Sequence, residues 1–154
     1  MSHSFIDPDL RLKVLRLPHL GAIPLPAYQS AGAAGLDLYA ACADWMVLHE
    51  DQPTLVPTGI AVEIPHGFEG QVRARSSVAK RGLIVANAPG TVDCDYRGEI
   101  MVMLLNVGRQ AVQIARGERI AQLVIAPVLQ LPVEEVGQLS TTQRGAGGFG
   151  STGT

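Results

Sequence analysis

The sequence predicts an all-β subunit, a jelly-roll-like sandwich or barrel, and three observations carry that expectation. Short apolar runs recur along the chain, each bounded by turn residues. Glycine (17) and proline (10) are abundant while aromatic residues make up only 5%, a balance that suits many short strands joined by turns. No stretch holds a 3.6-residue apolar period over three turns, as a packed helix would. With 47% hydrophobic and 17% charged residues, the 154-residue chain suits one domain with a real core and does not read as disordered.

Residues 1–9 read as a loose arm, 10–139 as the β domain, and 140–154 as a polar, glycine-rich arm expected to be mobile until a ligand orders it. Leu10, Leu12 and Val14 alternate with Arg11 and Lys13, the period of a half-buried strand. Pro18, Gly21, Pro24 and Pro26 then interrupt regular structure. Leu36, Leu38 and Ala40 share one strand face, with Asp37 and Tyr39 on the other. Strands are expected at 46–48, 54–56, 59–64, 68–75, 82–86, 100–105, 120–125 and 128–131, making roughly ten in all. One short helix is expected within 75–82. There a serine can cap the start, Lys80 and Arg81 fall in the last turn, and Gly82 can end it. Pro89-Gly90 between two apolar runs reads as the turn of a β-hairpin.

Several features exclude functions. A net charge of −2 argues against non-specific nucleic-acid binding, which needs a strong positive field. No apolar run reaches the roughly 18 residues of a membrane span. The N-terminus lacks the basic start and apolar stretch of a signal peptide. Cys42 and Cys94 give neither a disulfide framework nor metal spacing, so a reducing cytoplasm is expected. Gly145, Gly147 and Gly150 mimic a dinucleotide fingerprint, and Gly145 to Ser151 mimics a P-loop. Both motifs need a strand before and a helix after, and the P-loop lysine is missing.

Four groups can carry chemistry. The short helix is flanked by Arg73, Arg75, Lys80 and Arg81 with no acid between 70 and 92, a setting suited to phosphate. The tail offers Arg144, Phe149, Ser151 and Thr152 on a glycine-rich lid that could order over a planar anion. Asp93 and Asp95, two apart, would point the same way on a strand, and with Asp37 they could activate water or hold a hydrated cation. Gln122 is an amide inside an apolar strand and needs partners, either backbone or ligand.

Taken in order, these segments resemble the trimeric dUTP pyrophosphatases, the dUTPases. The motifs are AGLDLYA at 34–40, RSSVA at 75–79, NAPGTVDCDYRGE at 87–99, GERIAQL at 117–123 and RGAGGFGSTG at 144–153. The resemblance implies a β-clip subunit in a homotrimer, with sites at subunit interfaces and the C-terminal arm closing over a neighbour's site. It implies hydrolysis of dUTP to dUMP and pyrophosphate, with water attacking the α-phosphorus and Mg2+ bound to the triphosphate. Asp93 would hold the water. Asn87 would read the uracil edge and Tyr96 would exclude a 2′-hydroxyl, with Gly90, Val92 and Met101 completing the pocket and Phe149 stacking on the base. Arg75, Ser76, Ser77 and Gln122 would hold phosphates, Arg144, Gly150, Ser151 and Thr152 would clamp the far phosphate end, and Asp37 would act on the metal through water. Ser77 departs from a frequent glycine and Ala74 from a frequent proline. The competing readings are a dCTP deaminase of the same superfamily and a non-catalytic deoxynucleotide-binding module. Tyr96 beside Asp93 and the full glycine-rich tail favour the hydrolase.

Overall fold

Alternation sorts most strands of this chain into a core face and an outer face. The computed structural model describes residues 10–148, and its strands are antiparallel throughout. They are β1 (Lys13–Arg16), β2 (Gly35–Tyr39), β3 (Trp45–Leu48), β4 (Thr54–Glu63), β5 (Phe68–Arg73), β6 (Leu83–Val85), β7 (Gly90–Val92), β8 (Glu99–Asn106), β9 (Val112–Ala115) and β10 (Arg119–Pro127). One four-stranded sheet has the order β1-β4-β8-β6, a second has β2-β10-β5-β7, and β3 pairs with β9 in a small third sheet. Neither large sheet closes on itself, so the fold is an open sandwich and not a barrel. Val56, Val102 and Leu104 from the first sheet, Leu38, Val72 and Leu123 from the second, and Leu48 and Ile114 from the third share one buried core.

Several expectations need correction. The first strand lies three residues later than the alternation suggested, because Lys13 pairs with Glu63 across the ladder and also forms an ion pair with it. That bond, and then the ammonium charge, lower the pKa of the Glu63 carboxyl. The runs at 54–56 and 59–64 are one strand, β4. β7 and β9 were not anticipated, being only three and four residues long. Residues 128–131 form no strand: only Val128 N–H finds a backbone acceptor, Gly67 O at 2.9 Å, and their apolar side chains are exposed. Pro89-Gly90 does not turn a simple hairpin. β6 does pair with β8, but Gly90 begins β7, which crosses to the second sheet and pairs with β5.

The helix α1 (Ser76–Ala79) is a single turn. Arg75 is its N-cap with no side-chain bond, so neither serine caps it, and Lys80 lies beyond its last turn. Gly82 does not cap it either: Lys80 is the C-cap, and Gly82, at φ +78°, lies in the turn that follows, its N–H on Ala79 O.

The ladder between β4 and β8 carries one irregularity. Its register shifts between Pro57 and Ala61, around Gly59 at φ +69°, where a Cβ would lie 2.8 Å from Leu20 Cβ. Four polar groups displaced from the ladder find partners. Thr58 Oγ1 donates to Ile100 O at 2.6 Å, Gly59 N–H to Glu99 Oε1 at 2.7 Å, Leu17 N–H to Gly59 O at 2.9 Å and Ala41 N–H to Pro57 O at 2.7 Å. This bulge therefore fixes where β8 begins.

At its far end β8 is tied by Asn106, which is fully buried. Its amide donates to Leu48 O and Gln110 O and accepts from Gly108 N–H, at 3.0, 2.8 and 2.9 Å. Asn106→Ala leaves three backbone groups unpaired at a buried junction, and should cost about 3 kcal/mol. A urea-unfolding midpoint checks this.

Candidate active site

Two clefts gather the chemistry. The first, about 190 Å³, lies between β7 and the start of β8 and is lined by Val72, Asn87, Gly90, Thr91, Val92, Asp93, Tyr96, Glu99, Ile100 and Met101. Cross-strand pairing puts Gly90 against Val72 and Val92 against Gly70. A Cβ on Gly90 would sit 3.2 Å from both the Asn87 amide nitrogen and Val72 Cβ, so glycine is what lets the Asn87 side chain lie close over the strand.

Asp93 and Asp95 do not share a strand face, since both lie in the loop after β7. Tyr96 N–H donates to Asp93 O at 3.1 Å, and Arg97 Nη1 donates to Cys94 O and Tyr96 O at 2.7 and 2.9 Å. This loop presents the exposed Asp93 carboxylate to the first cleft, and the same residue lines a larger groove that contains Asp95.

The second cleft, about 390 Å³, is lined by Gln29, Ala33, Ala34, Gly35, Asp37, Arg75, Ser76, Ser77, Arg119 and Gln122. Its centre is an acid between two cations. Asp37 Oδ1 takes Arg75 Nε at 2.8 Å and Oδ2 takes Arg119 Nη1 at 3.1 Å, with the carboxylate only 8% exposed. Arg75 Nη1 also donates to Ser77 Oγ and Arg119 O, at 3.4 and 3.3 Å. A guanidinium has five donors, and the contacts of Arg75 use its Nε and Nη1. Two guanidiniums on one carboxylate leave the cleft net positive, and the Asp37 contacts hold both forks in place.

Gln122 is opposite Arg73 on one side and Asp37 on the other. Its Nε2 donates to Ala74 O at 2.9 Å, which leaves its carbonyl toward Gly35, where a Cβ would lie 2.5 Å from Oε1.

The predicted basic flank of α1 is thus not uniformly free. Arg81 is paired with Glu118 and donates to Gln113 O at 2.5 Å, and Arg73 donates to Gln71. The structure brings Asn87, Gly90, Val92, Asp93, Tyr96 and Met101 together, and separately Asp37, Arg75, Ser76, Ser77 and Gln122. Arg144 joins neither, its Nε donating to Gly147 O within the tail. Phe149, Gly150, Ser151 and Thr152 lie outside the described residues. Arg119 was missed. It is three residues from Gln122, an odd separation that alternation assigns to the opposite face, but a register shift between Arg119 and Ala121 restores it to the same one.

An open β-sandwich with an amide and a phenol in one cleft and two anchored guanidiniums in another belongs to the class of proteins that handle a planar group joined to an anionic tail. The chain is a member of the dUTPase family, whose model matches residues 22–153. It is 56% identical to the deoxyuridine 5'-triphosphate nucleotidohydrolase of Methylocella silvestris, over 96% of this chain and 94% of that one. It is 54% identical to the protein of the same name from Rhizobium meliloti, covering 93% and 91%. Among solved structures, the Staphylococcus bacteriophage 80alpha dUTPase with dUPNHPP superposes with a TM-score of 0.79 at 26% identity, over 94% of this chain and 99% of that one.

Gly35→Ala should displace the Gln122 amide without touching the core. Affinity for inorganic pyrophosphate, measured by calorimetry, is expected to fall about three- to tenfold, the cost of one misplaced hydrogen bond.

Proposed function

We infer that the two clefts are halves of one dUTP site, completed between neighbouring copies of the chain in a homotrimer. The reaction follows from family membership: dUTP is hydrolysed to dUMP and pyrophosphate, which limits uracil incorporation into DNA and supplies dUMP. The observation carrying the divided site is that the clefts share no lining residue. One is bounded by β7 and the other by β2, the opposite edges of a single sheet.

Two further features support assembly. The outer face of the first sheet is apolar, with Leu55 opposite Met103, Pro57 opposite Met101, and Ile84 opposite Leu105. Beyond β10, Leu129 and Val133 are 81% and 100% exposed. Exposed apolar surface of this kind calls for a partner, and a second copy supplies one of matching chemistry.

In the joined site the β7–β8 cleft takes the nucleoside. Asn87 pairs with the uracil edge, Tyr96 walls the sugar, and Val92 and Met101 make apolar contact. The β2–β10 cleft takes the phosphates on Arg75, Ser76 and Gln122, with Arg119 beside them. The C-terminal arm, 140–154, brings Arg144, Gly150, Ser151 and Thr152 to the far phosphate end and Phe149 over the base. Asp93 accepts a proton from water as its oxygen bonds to the α-phosphorus, and the bond to the bridging oxygen breaks to release pyrophosphate. Such general-base help contributes roughly 10²–10⁴-fold, and the fixed guanidiniums offset the charge of the departing group.

Among the described residues no three His, Cys, Asp or Glu side chains form a metal cluster. Asp37 keeps lone pairs beyond its hydrogen bond from Arg119 and its ion pair with Arg75, and would hold Mg2+ through water. When bound, the ion would neutralise charge on the triphosphate. No helix among the described residues is long and apolar enough to cross a membrane, and a cytoplasmic location is part of the proposal.

Asp93→Asn should abolish nearly all pyrophosphate release while dUTP binding persists. Near-normal turnover in that variant would refute the water-activating role, and ammonia release from dCTP by the unaltered chain would favour a deaminase. Removing residues 144–154 should lower kcat far more than Tm, because no described residue among 144–148 is buried. Light scattering should give three chains per particle.

A further inference from the structure

The wall of the nucleoside cleft is held by a chain of contacts that runs from Glu99, in its lining, to His19 and Gly59 outside it. Tyr96 is 46% exposed, so packing alone does not fix its ring. Two local features do. Its hydroxyl donates to Glu99 O at 3.0 Å, and the ring lies so close over Gly98 that a Cβ there would stand 2.6 Å from Cζ. The Glu99 carbonyl is in turn placed by its own side chain. Glu99 Oε1 accepts Gly59 N–H and pairs with His19 Nε2, each at 2.7 Å. His19 belongs to a 3₁₀ turn, Pro18–Leu20, that lines neither cleft, and Gly59 is the centre of the β4 bulge.

We propose that His19 and Glu99 are positioning residues for Tyr96, and that through this tether they set the selectivity for a 2′-deoxyribose over a ribose. The inference rests on the reading of the β7–β8 cleft as the nucleoside site. The physical need is specific. Rejecting a ligand that merely adds a hydroxyl is the hard direction of discrimination, because a yielding pocket readily admits the extra atom. A wall that rejects it must not move. Tyr96 meets that need only while its hydroxyl stays on Glu99 O and Glu99 stays on the bulge and the 3₁₀ turn.

The test compares kcat/KM for dUTP with that for UTP, and the affinity for dUMP with that for UMP, in the unaltered chain, His19→Ala and Tyr96→Phe. Tyr96→Phe keeps the ring and removes only the tether, so its dUTP-to-UTP ratio should fall about tenfold, mainly through a gain on UTP. His19→Ala, remote from ligand, should lower the ratio about threefold with kcat for dUTP near that of the unaltered chain. A ratio unchanged in either variant would overturn the proposal, as would equal losses for both nucleotides. If His19→Ala does not fold, His19→Leu, which keeps side-chain bulk without the ring nitrogen, takes its place with the same expected fall. Absence of dUTP turnover in the unaltered chain would instead count against the functional reading, and the dUMP-to-UMP affinity ratio would still report on the tether.

Discussion

Everything at the anion cleft depends on the register of β10, which is paired with β2 on one side and β5 on the other. That register sets Gln122 opposite both Asp37 and Arg73 on the outer face, while Leu123, opposite Leu36 and Val72, fills the core. Because side chains alternate with period two, a slip of one residue would drive an amide into the interior and expose a leucine. The burial of Leu123 therefore fixes the cleft as much as any polar contact does. Hydrophobic packing selects the register, and the register supplies the geometry.

In the proposed phosphate cleft, Asp37 is a buried acid that would sit beside an anionic ligand. Alone it would repel phosphate. Between two guanidiniums it costs one unit of positive charge and in return holds two flexible side chains in fixed directions. Its worth lies in orientation more than in folding stability, since desolvating an ion pair offsets much of its Coulombic gain.

Most of the sandwich was legible in the sequence where alternation was clean, as in β2, or where a continuous apolar run was bounded by turn residues, as in β8 and β10. The reading failed where a partner, not the local pattern, makes the strand. β7 is three residues, Gly90–Val92, whose identity comes from pairing with β5, and residues 128–131 alternate like a strand but pair with no neighbour among the described residues. The candidate site was legible where residue types were unusual for their surroundings, as with Gln122 or the cluster after Asn87. Arg119 and the His19–Glu99 pair were not. The first is hidden by a bulge and the second joins positions eighty residues apart, and neither leaves a trace in local spacing.

The separation of the two clefts on one sheet has a genetic consequence. When the halves of a site come from different copies, damage to one half and damage to the other need not coincide in the same site. Under the proposed division of the site between copies, a chain crippled at Arg75 and a chain crippled at Asn87 would each be inactive alone, yet a mixed particle would contain junctions built from the intact half of each. Such alleles would complement one another within a single gene. A chain altered in both halves would instead remove the two sites it borders in such a trimer and leave the one between two unaltered chains.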